Sequence, residues 1–186
     1  MILSDRDIRK YLKEGKLKVE NLEDLEKQIQ PSGIDLRLGN TFRIFRNMAV
    51  PFIDTKAPVE GYTETIEIED DKPFIIHPGE FILATTKEYI KVPNDLAGMV
   101  DGRSSLGRLG ISIHTTSTGL NPGWEGYFTL EIVNMGKIPV ALYPGMRICK
   151  ASFVKLTSEV EKPYQTNKYQ YTSTPEESKI FKEFSK

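Results

Sequence analysis

Ile34-Asp35-Leu36-Arg37-Leu38, then Gly39-Asn40, then Thr41-Phe42-Arg43-Ile44-Phe45 is the stretch that decides the fold class. Apolar and polar side chains alternate on both sides of the glycine, which is the two-residue period of a half-buried strand. Gly39-Asn40 reads as the turn joining two such strands. Further strands are expected at 65–68, 74–77, 81–85, 97–101, 111–114, 127–133, 140–142 and 148–154. Pro78-Gly79, Pro122-Gly123 and Pro144-Gly145 punctuate them. Proline presets the first central residue of a tight turn and glycine accepts the positive φ of the second. Many short strands with regular turn signals predict a mainly β domain, a sandwich or a barrel.

Upstream the period changes. Ser4 is placed to cap a helix, with Asp7 at the capping-box position and Leu3 able to staple onto Ile8. Ile8, Tyr11 and Leu12 form one stripe, and Gly15 offers a left-handed stop. A second short helix is expected over 22–28, ahead of Pro31. Residues 47–61 show no period and read as a loop. From about residue 163 the chain turns polar and aromatic, as in Lys168-Tyr169-Gln170-Tyr171. Such a tail frays at the end of a domain or folds over a bound ligand as a flexible lid.

With 186 residues the chain reads as one domain spanning 1–186. Lys plus Arg is 25 against 26 for Asp plus Glu, which argues against a nucleic-acid binder. No apolar run reaches the length of a membrane span, and the first residues are no signal peptide. A single cysteine, Cys149, rules out an internal disulfide and fits a reducing cytoplasm. It sits in the apolar stretch Ile148-Cys149-Lys150-Ala151-Ser152-Phe153, so a buried thiol is expected. The two histidines, His77 and His114, lack a Glu two residues on, and one cysteine cannot supply the pair that holds a deaminase zinc. No zinc site is expected.

Gly102-Arg103-Ser104-Ser105-Leu106-Gly107-Arg108-Leu109-Gly110 is rich in anion donors: guanidinium forks, hydroxyls and approachable backbone N–H groups. It is no P-loop, because Arg108 replaces the lysine and Leu109 the magnesium-binding hydroxyl. A phosphate loop between strands and a solvated surface turn both satisfy the spacing. In Tyr127-Phe128-Thr129-Leu130-Glu131-Ile132-Val133 the core face is Phe128, Leu130 and Ile132, which puts Glu131 on the other face with Tyr127, Thr129 and Val133. A poised acid at a pocket and a cross-strand salt bridge both fit that position. Asn121, before Pro122 in the bend entering this strand, suits a sugar hydroxyl or its own backbone. A phosphate holder plus a poised acid reads as an enzyme acting on a nucleotide.

These motifs together resemble the dCTP deaminase family, within the trimeric dUTPase superfamily. The resemblance runs from Met1-Ile2-Leu3-Ser4-Asp5-Arg6-Asp7-Ile8 through Pro31-Ser32-Gly33-Ile34-Asp35-Leu36-Arg37-Leu38-Gly39 and the arginine-serine loop. It continues in Pro122-Gly123-Trp124, Leu130-Glu131 and Tyr143-Pro144-Gly145-Met146-Arg147. It implies a β-clip or distorted β-barrel with a short N-terminal helix. It also implies a homotrimer with active sites at subunit interfaces, Mg²⁺ bound through the triphosphate, and no zinc. By the same resemblance Arg103, Ser104, Ser105, Leu106, Gly107 and Arg108 form the triphosphate loop, with Ser104 and Arg108 also organising the reacting water. Glu131 is the proton shuttle, Thr129 and Leu130 face the base, Asn121 meets the deoxyribose, and Tyr164 and Lys168 reach the phosphates from the tail.

Three positions depart from the family pattern. Asn121 stands where Asp is expected, Thr172 where a phosphate-contacting Gln is expected, and Gly119 where many deaminases that only deaminate carry Arg. The expected reaction is dCTP plus water to dUTP plus ammonia. The alternatives are a bifunctional enzyme that goes on to dUMP, a dUTPase, or a non-catalytic nucleotide-binding trimer. dUTP is the expected main product because Asn121 has no ionisable carboxylate.

Overall fold

The computed structural model describes residues 1–46, 51–59, 61–165 and 168–184. Part of the loop expected at 47–61 therefore lies outside the described residues. The elements run α1 (Asp5–Lys13), β1 (Lys18–Glu20), α2 (Leu25–Gln28), β2 (Ile29–Gln30), β3 (Gly33–Phe45), β4 (Thr63–Glu67), β5 (Phe74–Ile76) and β6 (Phe81–Lys91). β7 (Leu96–Gly102), α3 (Ser104–Gly107), β8 (Ile111–Ser112), β9 (Gly119–Leu120), β10 (Glu125–Asn134), β11 (Val140–Leu142) and β12 (Arg147–Lys155) follow. A 3-10 turn, Ile180–Glu183, comes last. The mainly β class and the short N-terminal helix are both present.

One large sheet carries the fold in the order β8-β10-β6-β3-β12-β7-β9, with β1 on β6, and β2 and β4 on β3. β11 and β5 make a separate two-stranded ribbon. β3 joins the two halves of this sheet: Ile34 to Arg37 pair with β12, whereas Phe42 to Ile44 pair with β6 and β4. Because both faces of its first half are covered, Gly33 to Gly39 are all buried, the polar positions included. Arg37 is satisfied there by Glu88, 2.7 Å away and fully buried.

Gly39-Asn40 is no turn. β3 runs straight through it, and the register with β6 slips between Leu38 and Phe42. Glycine is needed for close approach instead, since a Cβ at position 39 would lie 3.0 Å from the Thr85 carbonyl oxygen. The Pro-Gly pairs do turn as expected: Gly79, Gly123 and Gly145 have φ of 77°, 83° and 79°. Glu80, Trp124 and Met146 N–H groups close them onto His77, Asn121 and Tyr143 carbonyls.

α1 is capped by Ser4, whose Oγ accepts from Asp7 N at 3.4 Å, and Gly15 stops it at φ 67°. α2 starts later than the expected 22–28, because Asp24 accepts from Lys27 N at 3.1 Å and so becomes the cap. The core is one apolar cluster that includes Ile8, Phe42, Phe153 and Leu130, and Cys149 is buried within it.

Candidate functional site

Along β10 burial alternates strictly, with Phe128, Leu130 and Ile132 inward and Tyr127, Thr129, Glu131 and Val133 on the half-covered face. The strand is bulged against β6 between Tyr127 and Thr129. The Phe128 N–H released by the bulge donates to Thr86 Oγ1 at 3.0 Å. Beyond the bulge Thr129 and Glu131 sit opposite Thr85 and Leu83, facing a cleft of about 470 Å³. Its apolar walls are mostly aromatic, from Phe45, Phe81, Trp124, Phe128, Tyr164 and Tyr169. Its polar points are Ser117, Asn121, Thr129, Glu131, Thr172 and the tail residues Glu176, Glu177 and Ser178. No lysine or arginine lines it among the described residues.

Glu131 is held rather than loose. Its Oε2 accepts from Thr115 Oγ1 at 2.5 Å and from Thr115 N at 3.2 Å, while its own N–H donates to the Ile113 carbonyl. Between those anchors sits His114, edge-on to Phe128 with ring centroids 4.9 Å apart. Its two ring nitrogens are buried and meet no hydrogen-bond partner among the described residues. Burial holds the His114 pKa below the ordinary histidine value, against the opposing pull of Glu131 and Asp101. In the unfolded chain histidine protonates near pH 6.5, roughly. Below that pH the unfolded state binds the proton that the fold resists, so stability falls as pH drops towards the lowered folded value. His114→Phe is expected to flatten this acid limb in melting temperatures taken between about pH 7.5 and 5.5. Parallel limbs in the two proteins would assign it to other groups.

The tail closes one side of the cleft. Tyr164 N donates to the Pro122 carbonyl at 2.8 Å, and Trp124 Nε1 to the Tyr169 carbonyl at 2.8 Å. Tyr127 N donates to the Thr172 carbonyl at 3.0 Å, and Thr172 Oγ1 returns a bond to the Tyr127 carbonyl at 2.6 Å. Gly126, at φ 155°, permits this approach, since a Cβ there would stand 2.6 Å from Thr172 Oγ1. Further along, Arg43 binds Glu177 at 2.9 Å and the Pro175 carbonyl at 2.8 Å.

The sequence-derived residues divide into two groups. Asn121, Thr129, Glu131, Tyr164 and Thr172 line the cleft. Leu130 turns its side chain into the core, fully buried, which leaves its backbone alone near the cleft. Thr172 is only 3% exposed with its hydroxyl spent on Tyr127, so it anchors the tail. Lys168 pairs with Glu183. Arg103, Ser104, Ser105, Leu106, Gly107 and Arg108 lie elsewhere, on and around α3. There Leu106 is the buried anchor, and Ser104, Ser105 and Arg108 are exposed. The Arg108 backbone N–H donates to the Ser104 carbonyl at 3.0 Å, but its guanidinium makes no hydrogen bond or ion pair to any described residue.

Sequence reasoning missed Thr115, Phe45, Phe81, Tyr169 and the Arg43–Glu177 latch. The polar run Thr115-Thr116-Ser117 just after a strand could have flagged the first. The latch joins positions 134 apart, and nothing local announces it.

Residues 2–156 match the dCTP deaminase-like family model. The chain is 51% identical to "dCTP deaminase, dUMP-forming" of Methanosphaera stadtmanae, covering 98% of this chain and 95% of that one. It is 53% identical to the protein of the same name from Dictyoglomus turgidum, covering 97% and 95%. With "dCTP deaminase" of Thermomicrobium roseum the identity is 45%, covering 100% and 96%. Among solved structures, the 2'-deoxycytidine 5'-triphosphate deaminase of Agrobacterium tumefaciens superposes with a TM-score of 0.64 at 25% identity. That match covers 82% of this chain and 47% of the Agrobacterium chain, so this chain spans about half of its length. The dUTPase of EIAV shares the fold, with a TM-score of 0.51 at 19% identity, covering 82% and 98%.

Proposed function

This chain belongs to the dCTP deaminase-like family, and from that membership we propose that it deaminates dCTP and carries the product on to dUMP and pyrophosphate. The observation that carries the first step is Glu131, a carboxylate fixed by Thr115 inside an aromatic-walled cleft of nucleoside size. Water adds at C4 of cytosine, Glu131 takes a proton from that water, and the same group returns a proton to the departing amine. The balance is dCTP plus water giving dUTP plus ammonia. The Thr115 contacts keep the carboxylate aimed while its proton comes and goes.

The cleft alone is poorly suited to a triphosphate, because among the described residues it offers no lysine or arginine. The anion donors stand on the loop from Arg103 to Arg108, whose last guanidinium has no partner among the described residues of its own chain. We therefore read the complete site as shared between copies, with one chain's loop meeting the next chain's cleft in a homotrimer. An apolar patch beside the loop supports this. Leu109, Met135 and Ile138 are 57%, 70% and 74% exposed, and Met135 N is bonded to the Gly110 carbonyl. A patch of that kind is suited to cover by another copy. Magnesium enters as part of the substrate, the Mg²⁺–nucleotide complex. No three His, Cys, Asp or Glu side chains gather as an ion site among the described residues.

The expectation of dUTP as main product gives way here. The relatives at 51% and 53% identity are named dUMP-forming, and they outweigh an argument from one residue. Asn121 lines the cleft, and its amide both donates and accepts, so it can align a water on the phosphate chain without ionising. A time course from dCTP and Mg²⁺ tests the reading. Ammonia, dUMP and pyrophosphate are expected to rise together without a build-up of dUTP. Accumulating dUTP would limit the enzyme to deamination, and absence of ammonia would overturn the reading altogether.

A further inference from the structure

β3, β12 and β7 lie side by side, and at one end of this trio a single buried carboxylate faces two guanidiniums. Asp35 is 4% exposed, and its Oδ2 is 3.2 Å from Arg147 Nη1 and 3.6 Å from Arg103 Nε. Arg147 Nη1 also donates to the Lys27 carbonyl at 3.0 Å, and Arg103 Nη1 donates to the Arg147 carbonyl at 3.2 Å. Lys150 stands opposite Asp35 on one side and Asp101 on the other. Asp35 is thus paired to two guanidiniums, with Lys150 as its cross-strand neighbour.

Arg37, the register partner of Arg147, shows what a closed structural arginine looks like in this sheet. Its side chain is 7% exposed, and all three of its nitrogens are spent, on Glu88, Glu23 and the Asn21 carbonyl. Arg147 differs on both counts. Its side chain is 36% exposed, and only Nη1 is engaged among the described residues, leaving Nε and Nη2 free. The Arg103 side chain is 32% exposed and keeps Nη2 free among the described residues. Two forks pinned on one edge and open on the other are an anion receptor, since a guanidinium presents donors in a fixed plane that matches phosphate oxygens.

We infer that Arg147 binds the phosphate chain together with Arg103, and that Asp35 is the positioning residue that holds both forks. This rests on the nucleotide triphosphate reading above. Electrostatics alone would put Asp35 in the wrong place, since a carboxylate beside a phosphate site repels the ligand. Its use is geometric: without it two guanidiniums repel each other and lose their shared orientation.

The test compares KM for dCTP with competitive inhibition constants for dCDP and dCMP. In Arg147→Gln, losing a charge-assisted phosphate contact should weaken dCTP by about tenfold or more, and dCMP by less than about twofold, with kcat little changed. A loss equal for all three nucleotides, or no loss, would overturn the inference. Arg147→Lys retains the charge and can still reach the Lys27 carbonyl, so it guards against misfolding. It should still bind dCTP several-fold more weakly, and wild-type affinity would count against the fork. Asp35→Asn removes a negative charge, so simple electrostatics expects tighter dCTP binding. The positioning role expects a raised KM for dCTP, and tightening would overturn it. If wild-type affinity itself fails to rise with phosphate number, the triphosphate reading falls, an outcome distinct from failure of the variants.

Discussion

Glu131→Gln is expected to bind dCTP nearly as well as the parent and to deaminate it at least ~10²-fold more slowly, the lower range for losing an acid–base group. That factor corresponds to about 2.7 kcal/mol of lost transition-state stabilisation. The amide keeps the shape of the carboxylate and can still bond to Thr115, which donates to Oε2 at 2.5 Å in the parent. What it loses is the capacity to take a proton from water and give one to the amine. The loss should therefore fall in kcat with KM almost unchanged, because cleft and loop contacts to the ground state persist. Initial rates of ammonia release against dCTP concentration check this. Turnover within a few-fold of wild type would remove Glu131 from the proton-shuttling role, and a loss confined to KM would make it a binding group.

The position of Glu131 was legible because β10 obeys its local rule. Alternation from Tyr127 to Val133 put the carboxylate off the core face, and burial in the fold follows that alternation residue by residue. The Pro-Gly turns were legible for the same reason, since proline and glycine dictate φ at their own positions. Reading failed where a residue's reason lies far away in the chain. Gly39 looked like a turn, yet it is glycine because Thr85 of another strand presses on it. Asp35 and Arg37 looked like a polar strand face, yet both are buried, because β3 is covered on two sides and each charge finds a distant partner. The tail could not be placed from its own composition. Its docking depends on Gly123 and Gly126, where a Cβ would stand 2.6 Å from Pro163 and from Thr172 respectively.

The separation of cleft from loop yields the sharpest expected result. Arg108→Ala should be nearly inactive on its own, since the guanidinium proposed to meet the triphosphate, which has no partner among the described residues, is removed, and Glu131→Gln should be nearly inactive for the reason above. If one chain's loop serves the next chain's cleft, the two defects lie in different halves of a shared site. Mixing the variants and letting the subunits exchange then creates sites with Glu131 from one chain and Arg108 from its neighbour. In a closed head-to-tail ring assembled at random from equal amounts, about a quarter of the sites combine two intact halves. Activity should therefore return from near zero to about a quarter of the wild-type level after exchange, a gain well above either parent variant. A site built wholly within one chain gives no such gain, because every chain in the mixture carries one broken half. Recovery would thus locate the triphosphate loop in trans. A mixture no more active than its components, with exchange verified by mass, would place Arg108 and Glu131 in the same chain's site and overturn the shared-site reading.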